Sequence, residues 1–367
     1  MKAISFSAMA KVSGGVFARL APNVQMTRNL FFRLVPILLT CLCLLPDAHA
    51  QAYAGRDDVR RFVTEMVERH GFARAELLAL FSKTRQQQSV LKAIAAPAES
   101  AMRSWVTYRS QFVNAARIQA GVSFYDKHAA SLARAANLYG VPEEIIVAII
   151  GVETVYGRNT GSYRVIDALA TLAFDYPPRA EYFRSELEHF LLYARQESID
   201  ILAARGSYAG AIGIPQFMPG SYRRFAVDFD GDGKRDLSGS HIDALGSVAN
   251  FLKEHGWQRA QPIAFKAQVS GERYRTLVAS GIKPVYRGVD LPGFDVIVEE
   301  PFDLNLGICL IELETPGQST EYRVGLENFY VLTRYNRSSF YAFAVIDLAR
   351  EIGVAIARGK GATPEVR

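Results

Sequence analysis

Ile145-Ile-Val-Ala-Ile-Ile-Gly-Val-Glu153-Thr-Val-Tyr-Gly157 is the stretch on which the reading of this chain turns. Pro142 supplies a helix start, and Glu143 and Glu144 fall where the positive end of the helix dipole favours acids. Apolar residues then run from Ile145 to Val152, interrupted only by Gly151. A helix apolar on every face is buried, so Glu153 is expected at the end of a buried rod. Desolvation and the negative end of the dipole both favour its protonated form there. Such an acid can serve as a proton donor near neutral pH. The plainer reading is a glutamate that reaches the surface at a helix end, and the stretch alone does not separate the two.

Helical texture extends outward from the rod on both sides. Upstream, Val59, Phe62, Val63, Met66 and Val67 recur at helical spacing until His70-Gly71. Phe72 to Phe81 reads as a short helix, and Ile94-Ala-Ala-Pro97-Ala as a loop. Trp105, Tyr108, Phe112 and Ala116 are expected on one helix face, followed by a helix from Phe124 to Tyr139 with Gly140 as its cap. Downstream, Gly157, Asn159 and Gly161 make a turn-rich loop, and Val165 to Phe174 and Ala180 to Ala194 read as helices around the Pro177-Pro178 break. Ser198 to Ala204 reads as a further short helix.

Gly206 to Tyr222 is dense in Gly and Pro. That composition predicts a shaped backbone with exposed side chains, a ligand wall or a plain connection, with Gln216, Phe217 and Met218 favouring the wall. Asp228-Phe-Asp230-Gly-Asp232-Gly233-Lys234-Arg-Asp236 follows and matches the start of an EF-hand loop. Gly239 stands where that loop wants its bidentate Glu, and Asp243 is the next carboxylate. A bound Ca²⁺ of structural role is the favoured reading, a solvated Asp/Gly turn the alternative. After Trp257 the texture changes. Ile263–Val269, Val285–Tyr286, Phe294–Glu299, Gly307–Glu314 and Glu321–Val324 read as strands, before Asn328 to Ala349 returns to helix and a loose polar tail follows from Gly359.

Composition bounds the function. The 367 residues are 49% hydrophobic with a formal net charge of +5. Lys2, Lys11, Arg19, Arg28 and Arg33 lie in the first fifty residues against one acid, Asp47, so the rest is nearly neutral. No nucleic-acid partner is implied. Leu34 to Leu45 is an apolar run too short to span a membrane comfortably, and Ala48-His49-Ala50 offers a cleavage site before Gln51. Export after removal of residues 1–50 is expected, with an uncleaved anchor as the alternative and either Met1 or Met26 as the start. Thr40 and Leu42 precede Cys41 and Cys43, so a soluble periplasmic form is favoured over an outer-membrane lipid anchor. Cys309 would be alone in the mature chain, which excludes an internal disulfide. No zinc motif, P-loop or G-x-S-x-G elbow is present.

Several blocks in order, Gly151-Val-Glu153-Thr-Val-Tyr-Gly157, Phe174-Asp-Tyr-Pro177, Ser207 to Tyr222, the Asp228 loop and Arg334-Tyr-Asn336, resemble the lytic murein transglycosylase B family, glycoside hydrolase family 103, from about Ala52 to Gly353. The resemblance implies an α+β, predominantly α fold with a lysozyme-like catalytic core. With the texture above it divides the chain into a signal (1–50), an N-terminal helical part (51–125), the core with its calcium loop (126–260), a small β-rich domain (261–327), a helical return (328–358) and the tail (359–367). It implies that Glu153 protonates the bond between N-acetylmuramic acid and N-acetylglucosamine in peptidoglycan. The muramyl 6-hydroxyl then closes onto C1 to leave a 1,6-anhydro end. It further implies a sugar cleft lined by Ser207, Gln216, Phe217 and Met218, with Tyr108, Arg179, Tyr335, Asn336 and Tyr341 around it. Arg179 would meet a stem-peptide carboxylate. Calcium ligands would be Asp228, Asp230, Asp232, the Lys234 carbonyl, Asp236 and Asp243. Pro178 and Ile214 depart from the family's pattern, which bears on subsite preference. The expected partner is the glycan strand, with other cell-wall synthesis or remodelling enzymes as candidates, and the chain is expected to act as a monomer. A lysozyme-type hydrolase and a non-catalytic glycan-binding protein are the competing readings.

Overall fold

The computed structural model describes residues 53–95 and 104–361. The expectations for the signal, its cysteines, the start of the chain, the part of the loop from Ala96 to Ala98 and the last residues of the tail lie outside them, while Ile94 and Ala95, expected in that loop, end a helix (Gln88–Ala95) because Ile94 is buried in the core.

The rod forms as the sequence predicts. It is helix α6 (Glu143–Thr154), preceded by α1 (Asp57–His70), α2 (Arg74–Ser82), α3 (Gln88–Ala95), α4 (Trp105–Phe112) and α5 (Ala115–Tyr139). Every residue from Ile145 to Thr154 is buried. Helix α5, α10 (His241–Glu254) and α13 (Ser339–Gly361) enclose it. Each buried Ile or Val contributes about 1.5–3 kcal/mol relative to exposure, so the rod is a strong anchor of the core. Gly151 is required by packing. A Cβ there would lie 2.6 Å from the Tyr156 hydroxyl, which folds back over the last turn. The helix stops because Val155, Tyr156 and Gly157 all take left-handed conformations, with φ of 53°, 61° and 85°. For Val155 and Tyr156 that conformation is strained, and it sits directly after Glu153.

Helices α7 (Val165–Asp175), α8 (Ala180–Gln196), α9 (Pro219–Phe225) and α12 (Glu327–Tyr335) complete the helical layer. Strands β1 (Tyr163–Arg164) and β2 (Arg205–Gly206) pair beside it. The predicted β-rich segment is a five-stranded antiparallel sheet of β3 (Ala264–Val269), β4 (Tyr286–Arg287), β5 (Val296–Ile297), β6 (Gly307–Leu313) and β7 (Glu321–Gly325), in the order β4-β6-β7-β3-β5. It carries its own apolar cluster, with Leu277 of α11 (Tyr274–Ala279) packed beside Ile308, Leu310 and Val324. Cys309 on β6 is buried and donates to the Gly325 carbonyl at 3.5 Å. Burial pushes its thiol up to about 12, so it is a core residue rather than a nucleophile.

Four further local expectations are corrected. Ala116 does not share the face of Trp105, Tyr108 and Phe112. Asn114 breaks the helix and caps the next one by accepting from Arg117 N at 3.0 Å, and Ala116 is exposed. Ser198 to Ala204 is a run of turns, since the Asp200 carboxylate accepts the Leu202 and Ala203 amides and competes with helix bonds. The tail from Gly359 is not loose at its start. Helix α13 continues to Gly361, held by Ile352 and Ile356 against the core. The side chains of the Gly206–Tyr222 segment are mainly buried, with Ile212, Ile214, Phe217 and Tyr222 all in the core. Glycines at 210 and 213 let the backbone press against Leu169 and the Leu237 carbonyl, which draws the segment inward.

Candidate active site

Glu153 is only 6% exposed at the end of α6. Burial pushes its carboxyl up to about 7 from the ordinary 4.5, while the Tyr341 hydroxyl, donating to Oε1 at 2.7 Å, pulls it back. Tyr341 sits in the first turn of α13, where Ser338 Oγ accepts its amide. Tyr335, from the end of α12, stacks on Tyr341 with ring centroids 6.3 Å apart and donates to the Pro215 carbonyl at 2.6 Å. Burial, then the Glu153 charge, raises both phenols well above their ordinary value, so both remain hydrogen-bond donors.

The buried Gly206–Tyr222 segment forms the wall beside this acid. The Ser207 hydroxyl accepts the Ala211 amide at 3.0 Å and closes a tight loop. Gln216, at φ 53°, donates through Nε2 to the carbonyls of Thr160 and Gly213 at 3.1 and 2.8 Å, which leaves its Oε1 to accept. Phe217 is 2% exposed and packs against Phe251 and Tyr335. Met218 is half-buried at the start of α9. Tyr108 packs on Phe340 and acts electrostatically on Tyr341. Asn336 is half-buried at the end of α12. Arg179 lies over the rings of Tyr182 and Phe183, at 4.6 and 5.0 Å, at the start of α8. The structure thus gathers Tyr108, Phe217, Tyr335 and Tyr341 near Glu153, and gives Ser207 and Gln216 bracing bonds in the wall.

Two positions escaped the sequence reading. Thr154 is fully buried, donates to the Ile214 carbonyl at 2.8 Å and accepts the Gly157 amide at 3.0 Å, so it ties the acid's helix to the wall. Arg117 donates to the Gly151 carbonyl, which also accepts the Val155 amide at 3.2 Å, and so adds a second bond to the last turn. Adjacency to Glu153 was the available signal for Thr154; Arg117 carried none.

In the acidic loop, Asp228, Asp230 and Asp232 each place a carboxylate oxygen within 4.8 Å of the others. Gly231 and Gly233, at φ 80° and 88°, shape the turn. An open cavity of about 490 Å³ is lined by Asp230, Asp232, Lys234, Asp236 and His241, among others. An all-oxygen donor set of three carboxylates suits a hard cation such as Ca²⁺. Asp236 and Asp243 stand outside that group of three. Asp243 is fully buried, and its oxygens accept the amides of Phe229, Asp230 and Asp236 at 2.8, 3.2 and 2.8 Å. Asp236 Oδ1 accepts the amides of Ser238 and Gly239. Both brace the loop's backbone, as does Asp228, whose carboxylate accepts the amides of Gly231, Asp232 and Gly233.

Comparison with known proteins establishes the fold and the family. The chain is 41% identical to the membrane-bound lytic murein transglycosylase B of Escherichia coli (strain K12) over 313 residues, covering 83% of this chain and 84% of that protein. Its fold is similar to catenated lytic transglycosylase SltB1 from Pseudomonas aeruginosa, with a TM-score of 0.79 and 48% identity over 83% of this chain and 99% of that one. It is also similar to the Escherichia coli lytic transglycosylase Slt35 in complex with calcium, with a TM-score of 0.75 and 40% identity over 83% and 95% of the two chains. The predominantly helical fold with a small sheet is therefore that of the lysozyme-like lytic transglycosylases. The transglycosylase SLT domain model matches residues 54–350, and the chain belongs to that family.

Proposed function

We propose that this chain is a lytic murein transglycosylase that uses Glu153 alone for proton transfer, first as acid and then as base. The protonated carboxyl gives its proton to the glycosidic oxygen between N-acetylmuramic acid and N-acetylglucosamine, and the C1–O bond breaks. The resulting carboxylate takes the proton of the muramyl 6-hydroxyl as that oxygen bonds to C1. One glycosidic bond is exchanged for an internal 1,6-anhydro bond, no water is consumed, and Glu153 ends protonated.

The observation that carries this reading is the buried Glu153 carboxyl, raised to about 7 by burial and hydrogen-bonded by the Tyr341 hydroxyl. Ordinary glycosidases need a second carboxylate to activate water or attack C1. A hydroxyl already on the same sugar needs neither, because its effective concentration is very high. A group that must donate and then accept works best with a pKa near the operating pH.

The wall of Ser207, Gln216, Phe217 and Met218 would seat the sugars, with Tyr108, Tyr335, Asn336 and Tyr341 around them and Arg179 placed for a stem-peptide carboxylate. Asp228, Asp230 and Asp232 would hold a structural Ca²⁺, with Asp236, Asp243 and the Lys234 carbonyl around them. The apolar run before Gln51 supports export to the periplasm. No single helix among the described residues is long and apolar enough to cross a membrane. Digestion of purified sacculi with mass spectrometry of the products tests the function. Anhydromuropeptides are expected from the parent and none from Glu153→Gln. Reducing-end muropeptides, or full activity of the variant, would overturn the proposal.

A further inference from the structure

A second buried polar cluster lies away from the cleft. Asp347 of α13 and Arg323 of β7 are 6% and 8% exposed. Arg323 Nη1 and Nη2 donate to the two Asp347 oxygens at 2.6 and 3.1 Å. Arg109 of α4 adds a third bond, from Nε to Oδ2 at 2.6 Å. Behind them, Arg323 Nε donates to Glu321 Oε1 at 2.6 Å, and Glu321 Oε2 accepts from Trp105 Nε1 at 3.0 Å. The Trp105 amide donates to the Glu314 carbonyl at 2.7 Å. The cluster is a closed ring of contacts that joins α4, the sheet and α13.

Its members adjoin residues of the active site. Arg109 directly follows Tyr108, and Tyr108 packs on Phe340, the neighbour of Tyr341. Asp347 lies six residues beyond Tyr341 on the same helix, about 9 Å along its axis. Between them, Phe343 carries the Arg323 guanidinium 4.8 Å above its ring. Burial opposes the Asp347 charge, yet the Arg323 and Arg109 guanidinium groups hold its carboxyl below the ordinary value, so the carboxylate is the anionic hub of the ring.

We propose that Asp347 is a positioning residue for the reaction, fixing α13 and α4 against the sheet so that the Tyr341 hydroxyl stays on Glu153. Packing alone would hold the helices together at least as strongly, since well-packed apolar residues often stabilise as much as a buried ion pair. The three directional bonds add a fixed rotation and translation of α13. A hydrogen bond of 2.7 Å at the far end of that helix tolerates little slippage of either. The proposal rests on Glu153 being the proton donor.

The groups acting on Glu153 or bound to its helix end are Tyr341 from α13, Tyr335 from α12 and, on the Gly151 carbonyl, Arg117 from α5. Weakening the ring should therefore free Glu153 from Tyr341 and leave the others in place. The experiment measures kcat, KM and the pH profile of muropeptide release for Arg109→Met, Asp347→Asn and Tyr341→Phe, and for Arg109→Met combined with Tyr341→Phe. Arg109 is half-buried, so Arg109→Met keeps the Arg323–Asp347 pair and the fold. It is expected to lower kcat about tenfold with KM within about twofold, and to move the alkaline limb of the profile upward by about half a pH unit. In the Tyr341→Phe background it should do nothing more. Asp347→Asn should show the same shift, larger; if it does not fold, Arg109→Met decides. A lowered melting temperature with kcat and the alkaline limb unmoved would overturn the proposal, as would effects that add fully to Tyr341→Phe. Full activity of Glu153→Gln would instead overturn the assignment of the acid.

Discussion

The Tyr341 hydroxyl donates to Glu153 Oε1 at 2.7 Å, joining residues 188 positions apart in sequence. Burial favours the neutral acid, and this bond favours its anion. Tyr341→Phe removes the second influence and keeps the first. The Glu153 pKa should then rise above its value of about 7. A hydrogen bond to a charged group is worth about 1.5–3 kcal/mol, so the alkaline limb of the activity profile should move up by about one to two pH units. Turnover near neutrality should fall as well, because a less acidic carboxyl donates its proton less readily in the first step. A profile superimposable on the parent's would show that the bond does not act on the reacting carboxyl.

Glu153→Gln separates activity from stability. Loss of the proton donor should reduce turnover by about 10²–10⁴-fold. The folded pKa, about 7, lies above the ordinary 4.5. The carboxyl's favourable contribution is therefore fully present below about pH 4.5 and is lost as pH rises through about 7. Glutamine carries no such charge to bury. The variant should match the parent at low pH and exceed it at pH 8 to 9, by as much as about 3 kcal/mol. Melting curves across this range check the sign, and a constant difference between the two proteins would contradict it.

The acid and its rod were legible because an unbroken apolar run admits one outcome, burial, whatever surrounds it. All five sheet strands were legible for a similar reason, since short alternating runs between turns leave few choices. The partner on Glu153 was not. Tyr341 follows a Ser-Ser-Phe start to a helix; the resemblance put it around the cleft, but its bond to Glu153 shows only when α13 is laid against α6. The wall segment misled in the opposite direction. Its glycines signalled an open loop, yet here their missing side chains allow the backbone to enter the core. Asp243 shows a third kind of limit. Both Asp243 and Asp228 accept three backbone amides, and what separates them in the structure is that Asp243 is buried while Asp228 is exposed and converges with Asp230 and Asp232.

Gly151→Ala tests how tightly the end of the rod is packed. The new methyl carbon would lie 2.6 Å from Tyr156 Oη and 2.7 Å from its Cζ. Tyr156 would have to leave the helix and give up its bond to the Arg117 carbonyl, now 2.9 Å. Overpacking of this kind costs about 1–3 kcal/mol despite alanine's better helix propensity. Because Tyr156 holds one of the two strained left-handed positions after Glu153, activity should fall further than stability. A variant as stable as the parent in urea titration would show that the Tyr156 ring is free to move.

The acidic loop offers a contrast between two kinds of aspartate. Asp228, Asp230 and Asp232 are exposed and converge, so their mutual repulsion is relieved by a bound cation. Adding Ca²⁺ at 100 times its dissociation constant should stabilise the protein by about 2.7 kcal/mol, raising the melting temperature by several degrees. Asp228→Ala should abolish that increment and also lower stability in the presence of chelator, because its carboxylate accepts the amides of Gly231, Asp232 and Gly233. Asp243→Asn should behave differently. Its two oxygens accept three backbone amides in the core, and an asparagine turns one of those oxygens into an NH₂ group facing an N–H donor. The loss should be about 1–3 kcal/mol with or without chelator, since it is the loop itself that loosens. Calorimetry of both variants with calcium and with chelator reads the difference. If Asp243→Asn were destabilised only when calcium is present, its carboxylate would be acting through the ion, as a direct ligand beside the three converging aspartates.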